Sequence, residues 1–206
     1  LPGLEAGIYH FSPDRFALTQ LRKGDYRGEL AEAAGSDQSV AASPMTLVFT
    51  AVFWRSAWKY RVRSYRYCFW DAGTILANML AAVRGGADLP ARLLTGFVDK
   101  EVNALLGLDS EREGSLCLMP VGIAESATGG LTPKPIAAIN EQPVEVFEGE
   151  ISYPEIIQAH AASSLANREE VLAWRQAPTG CPGTNQPPES ATTLDLSIGD
   201  QPESQA

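Results

Sequence analysis

The residues best placed to do chemistry lie between Phe53 and Gly86, in the stretch FWRSAWKYRVRSYRYCFWDAGTILANMLAAVRGG. Its first half, through Trp70, carries five of the chain's 16 basic residues, Arg55, Lys59, Arg61, Arg63 and Arg66, beside three of its four tryptophans. Cations at the start of a helix oppose the helix dipole, so they call for an anionic partner. Taken alone, the same run reads equally as a solvated face with aromatic residues at the rim of a core. The other chemistry-bearing types are scattered. Cys68, Cys117 and Cys181 show neither paired metal spacing nor a disulfide framework. His10 falls in a strand pattern and His160 in a helical one, and both read as structural. No metal site is expected.

Several elements must position this stretch. From Tyr65 the apolar residues Tyr65, Phe69, Ala72, Leu76, Met79, Leu80 and Val83 recur at three- and four-residue steps, the mark of a helix with one wide buried stripe, which Gly85-Gly86 should stop. The basic segment before it has no apolar period and reads as a short helix or irregular connector. Gly7 to Phe11 alternates as a strand, Ser12-Pro13-Asp14 is turn chemistry, and Phe16 to Leu21 reads as the returning strand. Asp25 can cap a helix through about Ala34, and Met45 to Phe53 reads as a buried strand. Leu93 to Val98 reads as a short strand, Asp99 as the cap of a helix through Leu106, and Ser115 to Val121 as another strand. The interleaving is α+β.

Composition sets the bounds. At 206 residues with net charge −9 and an isoelectric point near 4.7, the chain has room for one domain plus an appendage and is a poor nonspecific binder of nucleic acid or anionic membrane. No run of about eighteen apolar residues occurs, so a soluble, cytoplasmic protein is expected. Residues 1–122 read as the domain and 123–150 as a Gly-, Ser- and Pro-containing linker. Residues 151–176 form an amphipathic helical piece with Pro154 in a first turn and Asn167 as a cap, and 177–206 a disordered tail.

The segment WKYRVRSYRYCFWDAGTILANMLAA resembles the central segment of the SagB-type dehydrogenases, the branch of the FMN-dependent nitroreductase superfamily that includes azoline oxidases of modified peptides. GIYHFSPDRFALTQLRKGD, MTLVFTAVFWR and LLTGFVDKEVNALLGLDSEREGSLCLMPVG are similar to further segments of that family in the same order. The resemblance implies a mixed sheet flanked by helices around a long central helix, with this chain covering the C-terminal portion of such a domain. It implies FMN as cofactor, a homodimer, and a Lys-Tyr catalytic pair at Lys59 and Tyr60. The lysine, its pKa depressed by neighbouring arginines, would take a ring proton while a hydride leaves for the flavin. Successive residues of a regular helix diverge by about 100°, so the pair should sit at a helix end or on irregular backbone. Thr95-Gly96-Phe97 matches the place where the family runs its backbone under the isoalloxazine, and Arg66 and Asn78 are candidates to reach flavin or substrate. The chain departs from the family at Arg61 and Ser64, which stand where small residues are common. It also lacks the arginine-rich segment that holds the flavin phosphate, so this chain alone should bind FMN weakly. The alternative reading is a catalytically silent scaffold or peptide-docking domain.

Overall fold

The computed structural model describes residues 3–123, 136–137, 139 and 149–177. All but Ala177 belong to one compact unit ending at Gln176. β1 (Gly7–Ser12) and β2 (Ala17–Lys23) form the expected antiparallel hairpin. The expected helix after it is α1 (Arg27–Ala33), and Asp25 lies one residue before its N-cap, accepting the Arg27 backbone N–H at 3.1 Å. A further helix, α2 (Gln38–Ala42), was not anticipated. It starts because the Asp37 carboxylate accepts the Ser39 N–H at 2.9 Å, a cap of the kind worth about 1 kcal/mol.

β3 (Met45–Val52) pairs antiparallel with β4 (Glu113–Val121), whose residues are buried almost throughout. The register slips once, between Phe49 and Thr50, where Leu116 is the extra residue. A single extra residue reverses which face the rest of a strand presents. Up to the slip, Met119 and Val121 share a cluster with Met45, Leu47 and Phe49. Beyond it Leu116 joins Ala51 and Phe53, and the Ser115 N–H turns to the Asn103 side chain, 3.1 Å away.

Leu93–Val98 is not a strand. It makes isolated bridges, Leu94 to Leu118 and, in parallel sense, Val98 to Leu165. The ladder fails because the Val98 N–H bonds to the Ala33 carbonyl at 2.8 Å, carrying the chain off β4 toward the end of α1. Asp99 is likewise not the cap of α5 (Asp99–Leu106): Val98 holds that position, and the Asp99 carboxylate accepts the Leu165 N–H at 2.8 Å. Gly107 ends α5 with φ of 75°, a left-handed conformation glycine adopts without penalty.

The basic stretch folds as α3 (Trp54–Tyr60) and a 3-10 turn (Arg61–Arg63), which run directly into α4 (Ser64–Ala81). α4 closes in a π-helical turn, Ala82–Gly86, so the two glycines end the helix from within its last turn. The wide buried stripe expected of α4 is narrower in fact. Ser64, Cys68 and Leu76 are buried, Tyr65, Ala72, Met79, Leu80 and Val83 are half-buried, and Phe69 is 42 % exposed. The reason is one-sided cover: Met79, Leu80 and Val83 pack on the β3–β4 pair, and Tyr65 and Ala72 pack near Ile156.

α6 (Pro154–Ser163) and α7 (Arg168–Gln176) complete the described elements. Asn167 caps α7 as expected, accepting the Glu170 N–H at 3.0 Å while Glu170 accepts the Ala166 N–H at 2.7 Å. α7 is held against α1 and α2 by buried Val171 and by Arg175, which bonds the Ala34 carbonyl and pairs with Asp37 at 3.2 Å. No helix among the described residues is long and apolar enough to cross a membrane. Most of the linker expected over 123–150, and the tail expected over 177–206 apart from Ala177, lie outside the described residues.

Candidate functional site

Lys59 and Tyr60 are the last two residues of α3, the helix end that the argument from side-chain divergence required. The chain breaks direction immediately after them, because Arg61 has φ 51° and ψ −141°. That combination disfavours a side chain and suits glycine. Both side chains are exposed, with the Lys59 ammonium 5.2 Å from the centre of the Tyr60 ring. Tyr60 meets Tyr67 edge-on at 4.9 Å and Tyr67 meets Trp70 at 5.2 Å, so the rings tie the end of α3 to the first turns of α4.

The residues expected around a flavin do not gather at this place. Gly96 faces α7: a Cβ built on it would lie 2.5 Å from Cδ1 of Trp174, so the indole rests directly on the glycine. Phe97 is 2 % exposed and part of the core with Leu94, Val102 and Leu118, while Thr95 is exposed. Arg66 lies over the Trp70 ring at 5.9 Å, and Asn78 donates to the Thr74 carbonyl one turn back. Among the described residues no hydrogen bond or ion pair links Arg66 or Asn78 to 95–97. As arranged, these five residues do not make a flavin site within one copy of the chain, since an indole takes the face of Gly96 and the two α4 side chains make their contacts within their own helix.

A polar group around the buried His160, missed by sequence reasoning, sits behind α4. The Tyr65 and Ser163 hydroxyls are 2.8 Å apart, and His160 Nδ1 lies 3.4 Å from the Tyr65 hydroxyl. The His160 ring packs edge-on against Phe53 at 5.2 Å, and its Nε2 lies over Gly114, where a Cβ would come within 2.3 Å, with no hydrogen-bond partner. Burial holds the imidazole below its ordinary pKa. Burial also raises Tyr65, helped by Asp99 and opposed by the Ser163 bond, and raises Asp99 itself. No local pattern could have flagged this group, because Tyr65 and His160 are 95 positions apart. Beside it a cleft of about 330 Å³ opens between α3 and α6, walled by Phe53, Trp54, Tyr153 and Ile156 and edged by the Arg112–Glu150 ion pair.

The sequence pattern of the nitroreductase family matches residues 11–123, more than half of the chain. The chain belongs to the nitroreductase family. A putative nitroreductase of Methanocaldococcus jannaschii, MJ1384, is 31% identical over 121 residues, covering 58% of this chain and 59% of that protein. The microcin B17-processing protein McbC of Escherichia coli is 25% identical over 116 residues, covering 56% of this chain and 42% of that one. The chain thus spans about half the length of these curated relatives. Among solved structures, a putative nitroreductase from Anabaena variabilis superposes with a TM-score of 0.61 at 27% identity, over 80% of this chain and 34% of that one. The Escherichia coli microcin synthetase McbBCD complex shares the fold at TM-score 0.51 and 22% identity, over 57% and 44% of the two chains. Lys59, Tyr60 and 95–97 fall inside the nitroreductase-family match, whereas His160 and Trp174, which cover parts of it, fall outside.

Proposed function

We propose that the protein is an FMN-dependent oxidoreductase of the SagB type, acting as a homodimer, with azoline-to-azole oxidation on a modified peptide as the reaction. The family match over residues 11–123 carries this reading, and the likeness to McbC, a microcin-processing protein, supports the peptide substrate. Lys59 takes the ring proton and Tyr60 stands beside it, both on an exposed helix end that substrate can reach. The test is spectroscopic and kinetic. Protein reconstituted with excess FMN should show a flavin spectrum that bleaches on reduction, and Lys59→Met should keep that flavin while losing turnover. Unchanged turnover in the flavin-loaded variant removes Lys59 from the mechanism.

The second reading, a catalytically silent scaffold, is favoured by the Trp174 indole on Gly96. FMN titration of the chain and of Trp174→Ala separates the two. Flavin binding that appears only in the variant means that the indole occupies the cofactor's place. Absence of binding in both supports the scaffold.

A further inference from the structure

The chain has no carboxylate between Asp37 and Asp71, although its net charge is −9. Within that interval Arg55, Lys59, Arg61, Arg63 and Arg66 are all exposed, and none forms an ion pair among the described residues. Exposed apolar side chains run between them: Trp58 is 63 % exposed, Trp70 59 %, Tyr60 44 % and Val62 41 %. Arginine and large aromatic side chains are the residue types that carry binding energy at interfaces, and grouped arginines recognise acidic motifs. Five like charges left without counter-charges on an acidic protein repel one another in the free state, and a partner bearing carboxylates removes that repulsion.

We propose that Arg55, Trp58, Tyr60, Arg61, Arg63 and Trp70 form a docking surface for an acidic polypeptide segment that carries apolar or aromatic side chains between its carboxylates. Charge complementarity selects this occupant. A symmetric pair of copies meeting through this face would set the same cations against each other, because an isologous interface brings one patch against itself. Nucleic acid is disfavoured by the chain's overall negative charge, which repels a polyphosphate over the approach distance. The surface shares Tyr60 with the proposed catalytic pair but does not require turnover there, so it stands whether the protein is an enzyme or a scaffold.

The experiment uses the full chain and three fluorescein-labelled probes: a peptide alternating glutamate and phenylalanine with glycine spacers, its lysine-for-glutamate counterpart, and oligothymidylate. Fluorescence anisotropy should show binding of the acidic peptide alone, weakening as salt rises because the charges are exposed. The triple variant Arg55→Gln, Arg61→Gln, Arg63→Gln should lose about tenfold in affinity, the sum of three exposed contacts of modest strength, and Trp58→Ala should lose a similar factor. Circular dichroism of both variants should be unchanged, since none of the four side chains has a polar partner to lose. Equal affinity in the variants, or failure of the acidic peptide to bind, overturns the proposal. Tighter binding of oligothymidylate would reassign the surface to nucleic acid. Concentration-dependent self-association abolished by the triple variant would reassign it to a second copy.

Discussion

Gly96→Ala should destabilise the protein through one neighbour, the Trp174 indole. The new methyl would arrive 2.5 Å from Cδ1, 3.2 Å from Nε1 and 3.4 Å from Cγ of that ring. The Gly96 backbone is not in the left-handed region, so alanine itself is tolerated and the clash is the whole cost. Relief requires the indole to swing outward. Trp174 is 55 % exposed, so of an indole surface of roughly 250 Å² about 100 Å² is covered, worth at most ~2.5 kcal/mol at ~25 cal/mol per Å². Losing part of that contact, or straining to keep it, puts the cost of Gly96→Ala at about 1–2.5 kcal/mol. With Trp174→Ala already in place there is nothing to strike, and Gly96→Ala becomes neutral or stabilising by up to about 0.5 kcal/mol through the unfolded chain. Urea unfolding followed by far-ultraviolet circular dichroism, with a common slope across the cycle, measures the four stabilities. Costs for Gly96→Ala that agree within about 0.5 kcal/mol in the two backgrounds would show that the indole does not rest on this glycine.

Three further outcomes follow from other parts of the molecule. Asp37→Ala removes the cap of α2 and leaves Arg175 and Arg92 without their shared carboxylate, so the urea midpoint should fall by the equivalent of about 2–3 kcal/mol; Asp37→Asn, which keeps an acceptor, should cost less. Arg61→Gly should stabilise by about 1 kcal/mol, the strain at φ 51° less the entropy that glycine adds to the unfolded chain; a lower melting temperature would contradict that backbone geometry. His160 is held below its unfolded pKa by burial. Its unfolded form therefore binds a proton first, and stability, complete above about pH 6.5, should decline as pH falls toward the folded pKa. Melting temperatures of the parent and of His160→Gln should diverge in pH dependence below that point, and parallel curves would remove His160 as the cause.

What was legible in the sequence was local. The hairpin, α4 and the Asn167 cap follow from turn chemistry, a 3.6-residue period and a side chain acting on its own helix, and all three hold. The position of Lys59 and Tyr60 at a helix end followed from backbone geometry once the resemblance made them a pair facing one site. The misread elements were decided by distant partners. Leu93–Val98 has strand composition, but the Val98 donor goes to Ala33 rather than β4. Asp99 has the right type for a cap, but its carboxylate goes to Leu165. Gly96 was expected under a flavin from the resemblance, and the close flat neighbour it has in this structure is Trp174, some eighty positions later. Arg175 on Asp37 and His160 beside Tyr65 are equally invisible to any window along the chain.

The extra residue in β4 makes the length of that strand a stricter requirement than its composition. A substitution at Leu116 changes one contact among several in its cluster. A deletion there would restore plain two-residue alternation between β3 and β4 and keep the pairings of Thr50 with Ser115 and Ala51 with Gly114, whereas a one-residue insertion would offset each of them by one. The Ser115 hydroxyl would then turn toward Phe53 and His160, and the space that Gly114 leaves for the imidazole would turn toward Asn103. Chains sharing this packing should therefore accept insertions in the loops around 87–90 or 108–112 and reject single-residue insertions within 113–117. A one-codon insertion scan across β4, scored for soluble expression, would trace that boundary directly.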